Sequence, residues 1–328
     1  MEATVLSLWD EQGALFPLRN AYPLWRTPSL LRHDTGTEPD LHLSHLDQEA
    51  SIIVLSDLGD LFNIVDFLTT CADTDAYAKH ASGIGSSVGS IMALVHSETV
   101  NQIIREDSAA TELLTQRLTS DLVYNLAVEP VLERVHTAQD PQRLYSRVVA
   151  NYRASNDTYP HALSFGDFHP GSILLPRDGT DLTPILVDWE FAQVNGRGVN
   201  GDMAQFLASM HLELIKYQDN TSVYKRLQSF VLSLCKAYQK SSGHTLERNS
   251  SNVGVRLMRS AFILHGREMV NLAFEENKTH DRFQDMVDMG IWYLEHAGDD
   301  EDDFIEASNW EMLKDEDLQL IQLLFSPK

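Results

Sequence analysis

The sequence predicts an α+β protein in which a small strand-containing N-terminal lobe precedes a large helical lobe. β-like apolar runs lie before residue 58, long amphipathic patterns dominate after it, and one short β-rich segment interrupts the helices. The 328 residues, 43% of them hydrophobic, suffice for a full core and exclude a disordered chain. We therefore expect one lobe with its hinge over residues 1–58 and a second lobe over 59–328. A loop-borne site is expected between them.

The N-terminal lobe is predicted to contain one helix and two strands. Residues 1–12 have the apolar spacing of a short helix. Residues 29–32 and 51–55 are β-like, and the second run is β-branched and apolar. The polar residues 57–60 that follow it are predicted to form the hinge.

The larger lobe is predicted to consist of helices on both sides of a β-hairpin. Ser172–Pro176 and Pro184–Val187 are strand-like, and a turn at residues 177–179 separates them. The remaining segments show the spacing of amphipathic helices. These helices are predicted over residues 61–70, 75–97, 107–136, 141–155, 201–218, 223–241, 252–276, 279–297 and 309–324.

The composition limits the class of partner and the location. Asp and Glu number 48 against 25 Lys and Arg, and the resulting net charge of -23 should repel nucleic acid and anionic membranes. No segment reaches the roughly 18 apolar residues of a transmembrane helix, and the acidic start is unlike a signal peptide. Cys71 and Cys235 are too few for a disulfide framework or a cysteine-based zinc site. We expect a cytoplasmic protein with a neutral or cationic ligand, and no binding to nucleic acid or membrane.

Two carboxylates flank the predicted hairpin. Asp167 lies in a tight loop before it, and Asp188 directly follows its second strand. Because a hairpin brings its two ends together, these carboxylates are expected to converge. Such a pair suits phosphoryl transfer, in which one carboxylate accepts the proton of an attacking hydroxyl and the other holds Mg²⁺ on nucleotide phosphates. Glycoside hydrolysis also uses two carboxylates, but nothing else in the sequence predicts a sugar-binding cleft.

Three motifs follow one another around this hairpin. They are Gly166-Asp167-x-His169-Pro170-Gly171-x-Ile173-Leu174, Val187-Asp188-Trp189-Glu190-Phe191-Ala192 and Gly201-Asp202-Met203-Ala204. In this order and spacing they resemble the aminoglycoside phosphotransferase and choline kinase-like family, particularly its methylthioribose kinase and fungal hydroxytryptamine kinase branch. The resemblance implies a protein-kinase-like two-lobed fold with a curtailed N-lobe. It also implies transfer of phosphate from ATP, with Mg²⁺, to a hydroxyl of a small molecule; the acidic composition favours an amino alcohol.

The resemblance implies a role for each matching residue. Asp167 would be the catalytic base. Asp188 would be the principal magnesium ligand and Glu190 an auxiliary one. Asp202 would hold the catalytic loop through backbone hydrogen bonds, and His169 would pack that loop.

Other positions concern the nucleotide and the second metal contact. The backbone around Ser56, Asp57 and Leu58 would contact adenine. Glu2 corresponds to the helix Glu of the family. Ser172 stands where the family usually has Asn, so a shorter and weaker ligand takes the second metal-contacting position.

The N-terminal lobe departs most from the family. Its glycines before the hinge never form a G-x-G, and the first Lys of the chain is Lys79. A kinase of this type needs a Gly-rich loop and a strand Lys to hold the phosphates. Two interpretations remain open: a shortened product of an active kinase gene, or a natural degenerate member. The second would be a catalytically inactive binding or regulatory protein with a protein partner.

Two further patterns have competing interpretations. Gly83-x-Gly85-x-x-x-Gly89 is similar to a phosphate loop, but no strand leads into it, so close packing between helices is favoured. His265, Arg267 and Glu268 lie on a predicted helix that either faces the substrate or is packed or at the surface. The second alternative is favoured.

Overall fold

The structure is a computed structural model. It describes residues 2–9, 13–21, 26, 58–70, 75–115, 123–154, 160–177, 182–242, 253–299, 304 and 319–325. These residues form a mostly helical protein with two small antiparallel sheets, which confirms the predicted α+β class. Among them, no helix combines the length and the apolar character needed to cross a membrane. The predicted strands 29–32 and 51–55, together with Ser56 and Asp57, lie outside the described residues.

The described elements are numbered in chain order. The helices are α1 Glu2–Trp9, α2 Phe16–Ala21, α3 Ile64–Thr70, α4 Asp75–Val95, α5 Glu98–Glu106, α6 Ser108–Thr115, α7 Val131–Arg134, α8 Pro141–Arg153, α9 Met203–Lys216, α10 Thr221–Ser242, α11 Val253–Glu276, α12 Phe283–His296 and α13 Leu320–Leu323. The strands are β1 Leu61–Asn63, β2 Ala162–Ser164, β3 Ile173–Pro176, β4 Ile185–Leu186 and β5 Gln193–Gly196. Two π-helical turns, Tyr124–Val128 and Gly198–Asp202, and one 3₁₀ turn, Pro170–Ser172, complete the set.

Two sheets place the loops that carry the predicted site. In the first, β3 lies between β1 and β4, and its pairing with β4 confirms the predicted hairpin. In the second, β2 pairs with β5. The loop with Asp167 leaves β2, and the loop with Asp188 leads from β4 to β5. Both loops are therefore attached to the same pair of sheets.

Two predicted helices are wrong in part. Residues 61–63 of the predicted helix 61–70 form β1, which pairs with β3. The predicted helix 107–136 is divided into α6, a π-helical turn and α7, with residues 116–122 outside the described part. The sequence pattern also missed α5, which lies between two predicted helices. Its start is set locally, because the Ser97 side chain accepts a hydrogen bond from the Val100 N–H (3.3 Å) and so caps the helix.

The glycines of the Gly83-x-Gly85-x-x-x-Gly89 pattern lie within α4 rather than in a loop. A Cβ atom at Gly85 would lie 2.2 Å from the Phe230 carbonyl oxygen, and one at Gly89 would lie 2.2 Å from that of Leu234. Both carbonyls belong to α10, so the two helices touch backbone to backbone. The interpretation as a helix-packing pattern is confirmed.

Candidate active site

The loop that carries Asp167 begins with a backbone conformation that requires glycine. Gly166 has φ +81°, and a Cβ atom there would lie 2.3 Å from the Phe191 carbonyl oxygen. Asp202 holds this loop: its Oδ2 accepts the Phe165 N–H at 2.7 Å and its Oδ1 accepts the Gly166 N–H at 3.0 Å. Asp202 is only 2% exposed. The peptide groups that precede Asp167 are therefore fixed by a buried carboxylate.

A buried aromatic cluster joins the Asp167 loop to the Asp188 loop. Phe165 stacks on Trp189 with ring centroids 3.6 Å apart, and it also contacts Phe168 at 4.9 Å. Phe168 stacks in turn on Phe206 of α9 at 4.7 Å. All four rings are fully buried. Because the aromatic residues of both loops share one core, the two acidic residues are held in a defined relation to each other.

Asp188 follows β4 in a left-handed conformation. With φ 72° it has the only positive φ of any non-glycine residue in the described part of the chain. Its Oδ2 lies 3.0 Å from His169 Nε2. The Gly171 N–H donates to His169 Nδ1 at 3.0 Å, so Nδ1 is the acceptor and Nε2 carries the proton given to Asp188. His169 thus links the Asp167 loop to Asp188.

Asp167 is half-buried, and its Oδ1 accepts a 2.5 Å hydrogen bond from Gln205 Nε2 of α9. Burial is the main cause of a raised pKa at Asp167. His169 and the Gln205 hydrogen bond oppose this rise, while the nearby charges of Glu268 and Asp188 add to it. A carboxylate with a raised pKa and one ordered hydrogen bond suits a proton acceptor.

Asp167 lies on the wall of a cleft of about 790 Å³, a size common for small-molecule sites. The cleft is bounded by α9, by α11 and by the π-helical turn 124–128. Its described lining includes five carboxylates and one arginine: Asp167, Glu213, Glu268, Glu275, Glu276 and Arg267. The arginine is engaged, since its Nε donates to Glu268 Oε1 at 3.0 Å. Glu275 is paired with Arg134 at 2.8 Å and Glu213 with Lys216 at 3.0 Å, so the lining has an excess of acidic side chains that nearby cations partly neutralise.

The other predicted site residues are not among the described residues that line the cleft. Ser172 is fully buried, and its hydroxyl accepts the His169 N–H at 3.4 Å within the 3₁₀ turn. Glu190 is exposed to solvent. Glu2 is the first residue of α1, and its side chain is outside the described part. Leu58 is half-buried and precedes Gly59, whereas its neighbours 56 and 57 are not described. The structure thus groups Asp167, His169, Asp188 and Asp202, four of the ten predicted residues.

Asp188 is the residue that fits a magnesium ion best. Within the described residues, no group of three His, Cys, Asp or Glu could hold a metal by itself. Mg²⁺ does not require one, because it often uses one or two carboxylates and completes its shell with phosphates and water. The Asp188 side chain is 35% exposed, and only Oδ2 is engaged among the described residues, by His169. Its Oδ1 is a hard oxygen ligand that suits this role.

Gln205 and Glu213 were not predicted as site residues from the sequence, and a packed or surface position was favoured for Glu268. Gln205 lies three residues after Asp202, a spacing that puts both on one helix face and could have identified it. Glu268 is 8% exposed and lines the cleft, so it is both packed and available to a ligand. His265 is fully buried, as the favoured interpretation expected.

None of the known family models matches the chain, and no curated protein is significantly similar to it in sequence. A functional assignment therefore depends on the motifs and on the geometry of these two loops.

Proposed function

We propose that this protein is an ATP- and Mg²⁺-dependent phosphotransferase that acts on a hydroxyl of a small molecule. The proposal includes a protein-kinase-like two-lobed fold and membership of the family whose motifs the chain resembles. One observation carries it: His169 links the loop of Asp167 directly to Asp188, and Asp202 holds the Asp167 loop through two backbone N–H groups. This is the arrangement that phosphoryl transfer needs of a base and a metal ligand.

Each carboxylate has a distinct task in the proposed reaction. Asp167 orients the substrate hydroxyl in the cleft and accepts its proton, and Gln205 fixes the orientation of the Asp167 carboxylate. Asp188 would hold the magnesium ion, with Glu190 as an auxiliary ligand. A bound magnesium ion would neutralise charge on the phosphates of ATP.

The lining of the cleft supports an amino alcohol as substrate. Glu268 and Asp167 line the same cleft, and Glu268 suits the ammonium group of a small molecule whose hydroxyl lies at Asp167. Glu213 Oε1 already accepts from Lys216 Nζ at 3.0 Å, while its Oε2 is buried without a hydrogen-bond partner among the described residues and suits a donor from the ligand. Leu126, which is 63% exposed, offers an apolar contact at the same cleft.

The proposal also covers the nucleotide, the partners and the location. Adenine would lie against the backbone near Ser56, Asp57 and Leu58, at the boundary between the lobes. The net charge of -23 favours a small molecule over nucleic acid or an anionic membrane as partner, and it is compatible with a cytoplasmic location.

A second candidate is a catalytically inactive kinase-like protein that binds a ligand or a protein partner. One observation favours it. The Ser172 hydroxyl is fully buried in the 3₁₀ turn rather than open to a second metal.

A thermal unfolding experiment with MgATP tests the proposal. At a hundredfold excess over Kd, a ligand that binds only the folded state adds about 2.7 kcal/mol to the free energy of unfolding. We expect this gain for the wild type and its loss in Asp188→Asn. Glu112→Gln, which changes an exposed residue of α6, should behave as the wild type. No stabilisation of the wild type by millimolar MgATP would contradict the proposal.

A transfer assay then separates the two candidates. With a panel of amino alcohols, the phosphotransferase should consume ATP, and Asp167→Asn should lower the rate at least about a hundredfold. Binding of MgATP without transfer to any alcohol would favour the inactive kinase-like protein.

A further inference from the structure

A series of buried hydrogen bonds continues behind Asp202, away from the cleft. Asp202 Oδ2 lies 3.1 Å from His96 Nε2, and both side chains are 2% exposed. His96 Nδ1 lies 2.9 Å from the hydroxyl of Tyr238, which is fully buried. His96 directly follows α4, and Tyr238 belongs to α10. We call these three side chains the Asp202 bridge.

The donors and acceptors of the Asp202 bridge follow from its chemistry. An ionised carboxylate can only accept, and Asp202 already accepts two backbone N–H groups, so His96 Nε2 donates to it. His96 Nδ1 and the Tyr238 hydroxyl form the second hydrogen bond of the bridge. Burial raises the pKa of Tyr238, and the charge of Asp202 raises it further, so the phenol keeps its proton. Each link therefore has one donor and one acceptor.

Glycines at two contacts allow the bridge to form. A Cβ atom at Gly89 would lie 3.0 Å from the Tyr238 backbone nitrogen, which shows how closely α4 approaches α10 there. A Cβ atom at Gly198 would lie 2.8 Å from His96 Cγ, so the π-helical turn packs directly on the imidazole. His96 is thus held between a tightly packed helix pair and the turn that ends at Asp202.

We propose that His96 and Tyr238 are positioning residues for Asp167. They fix the orientation of Asp202, and Asp202 fixes the Phe165 and Gly166 N–H groups that immediately precede Asp167. Neither residue lines the cleft, so their effect must pass through this loop. The consequence for turnover rests on the proposed phosphotransferase function, whereas the hydrogen bonding does not.

Nuclear magnetic resonance of the ligand-free protein tests the bridge independently of any activity. The imidazole of His96 should carry a proton on Nε2, and Tyr238→Phe should shift the Nδ1 signal. The amide signals of Phe165 and Gly166 should also shift in Tyr238→Phe and more strongly in His96→Leu. Tyr293→Phe, which removes another fully buried phenol hydroxyl, should leave these two amides unchanged.

Steady-state kinetics tests the positioning role. Because a displacement of about 1 Å can cost about a hundredfold in rate, we expect His96→Leu to lower kcat about a hundredfold. Tyr238→Phe should lower it about tenfold. KM for MgATP should stay within about twofold, since neither side chain contacts the cleft. His96→Gln, which retains a donor for Asp202, should recover at least about tenfold of the loss.

Two results would overturn the inference. One is that the Phe165 and Gly166 amides and kcat are unchanged in both Tyr238→Phe and His96→Leu. The other is that Tyr293→Phe produces the same losses, since the effect would then be general destabilisation. If the wild type neither binds MgATP nor transfers phosphate, the proposed function fails. In that case the amide shifts alone decide the inference: shifts in the bridge variants without shifts in Tyr293→Phe support it, and no shifts reject it.

Discussion

At the scale of single residues, Asp188 combines a strained backbone with a constrained carboxylate. A left-handed conformation costs a residue with a Cβ about 1–2 kcal/mol, although Asp and Asn tolerate it better than most. Such conformations persist where the surrounding structure imposes them, often at functional sites. Here β4 precedes the residue, the buried Trp189 follows it and His169 binds its side chain. Asn at position 188 therefore removes the charge with little added strain, which makes it a better test than Ala.

Gln205→Leu is expected to move the acidic limb of the pH–rate profile for the proposed transfer to higher pH. The hydrogen bond from Gln205 lowers the pKa of Asp167 against the effect of burial. Without that bond the pKa rises further, so Asp167 takes up its proton at higher pH. A base acts only when deprotonated, and activity should therefore decline sooner as the pH falls.

The Gln205→Leu prediction is tested by measuring kcat/KM of the variant and the wild type between about pH 5 and 9, because this quantity reports the ionisation of the free enzyme. Gln102→Ala, on the exposed face of α5, should reproduce the wild-type profile. A Gln205→Leu profile that superimposes on the wild type would contradict the role of this hydrogen bond.

At the scale of elements, the contact between α4 and α10 joins the helix that leads to His96 with the helix that carries Tyr238. The backbones touch at Gly85 and Gly89 because neither residue has a side chain to separate them. Gly83 belongs to the same sequence pattern but is exposed, with no atom within 4 Å of a Cβ built there. Members of one motif thus have opposite environments, which makes Gly83 a natural control.

Gly89→Ala and Gly83→Ala are expected to change stability in opposite directions. The methyl group at position 89 would meet the Leu234 carbonyl at 2.2 Å, so the helices must separate, at a cost of about 1–3 kcal/mol or more. At position 83 the same change should stabilise by about 0.5–1 kcal/mol, because Ala is the better helix former. Urea unfolding measures both. Equal effects of the two substitutions would show that the contact at Gly89 is not tight.

At the scale of the whole molecule, a buried histidine pair joins α9 to α11. His265 Nδ1 donates to the Ala204 carbonyl at 3.1 Å, so its Nε2 accepts from His211 Nδ1, also at 3.1 Å. His211 Nε2 is buried with no hydrogen-bond partner among the described residues. Burial lowers the pKa of His211 to about 3 and that of His265 well below its usual value. Both rings are therefore neutral in the folded protein at neutral pH.

The free energy of unfolding should fall as the pH decreases from about 6.5 towards 3. The unfolded chain binds protons at these histidines near pH 6.5, whereas folded His211 binds one only near pH 3. Stability from the neutral ring is thus fully present above pH 6.5 and is lost below it. For His211 alone the loss is on the order of 5 kcal/mol across this interval.

Chemical unfolding at a series of pH values measures how the free energy of unfolding changes with pH. His211→Gln keeps a donor towards His265 but cannot titrate, so its stability should depend on pH less steeply than that of the wild type. His136→Gln changes an exposed histidine and should retain the wild-type slope. Parallel curves for His211→Gln and the wild type would contradict the assignment.

Local sequence patterns predict the α+β class, the β3–β4 hairpin and most long helices, because these depend on periodicity and turn residues. It also located Asp167 and Asp188 on the loops at either end of the hairpin. It failed where a distant partner or a cap defines the element. Residues 61–63 are a strand because β3 lies beside them, and the Ser97 cap begins a helix in the interval between two predicted helices.

Which side chains meet at the site depends on how distant parts of the chain pack together. Gln205 and His96 are 38 and 106 residues from the acids they contact, Asp167 and Asp202, so both pairings depend on the packing of separate elements. The same holds for Glu268, whose helix position alone does not distinguish a packed residue from one that lines a cleft. Periodicity specifies the buried face of an element, but the partner on that face depends on how separate elements pack together.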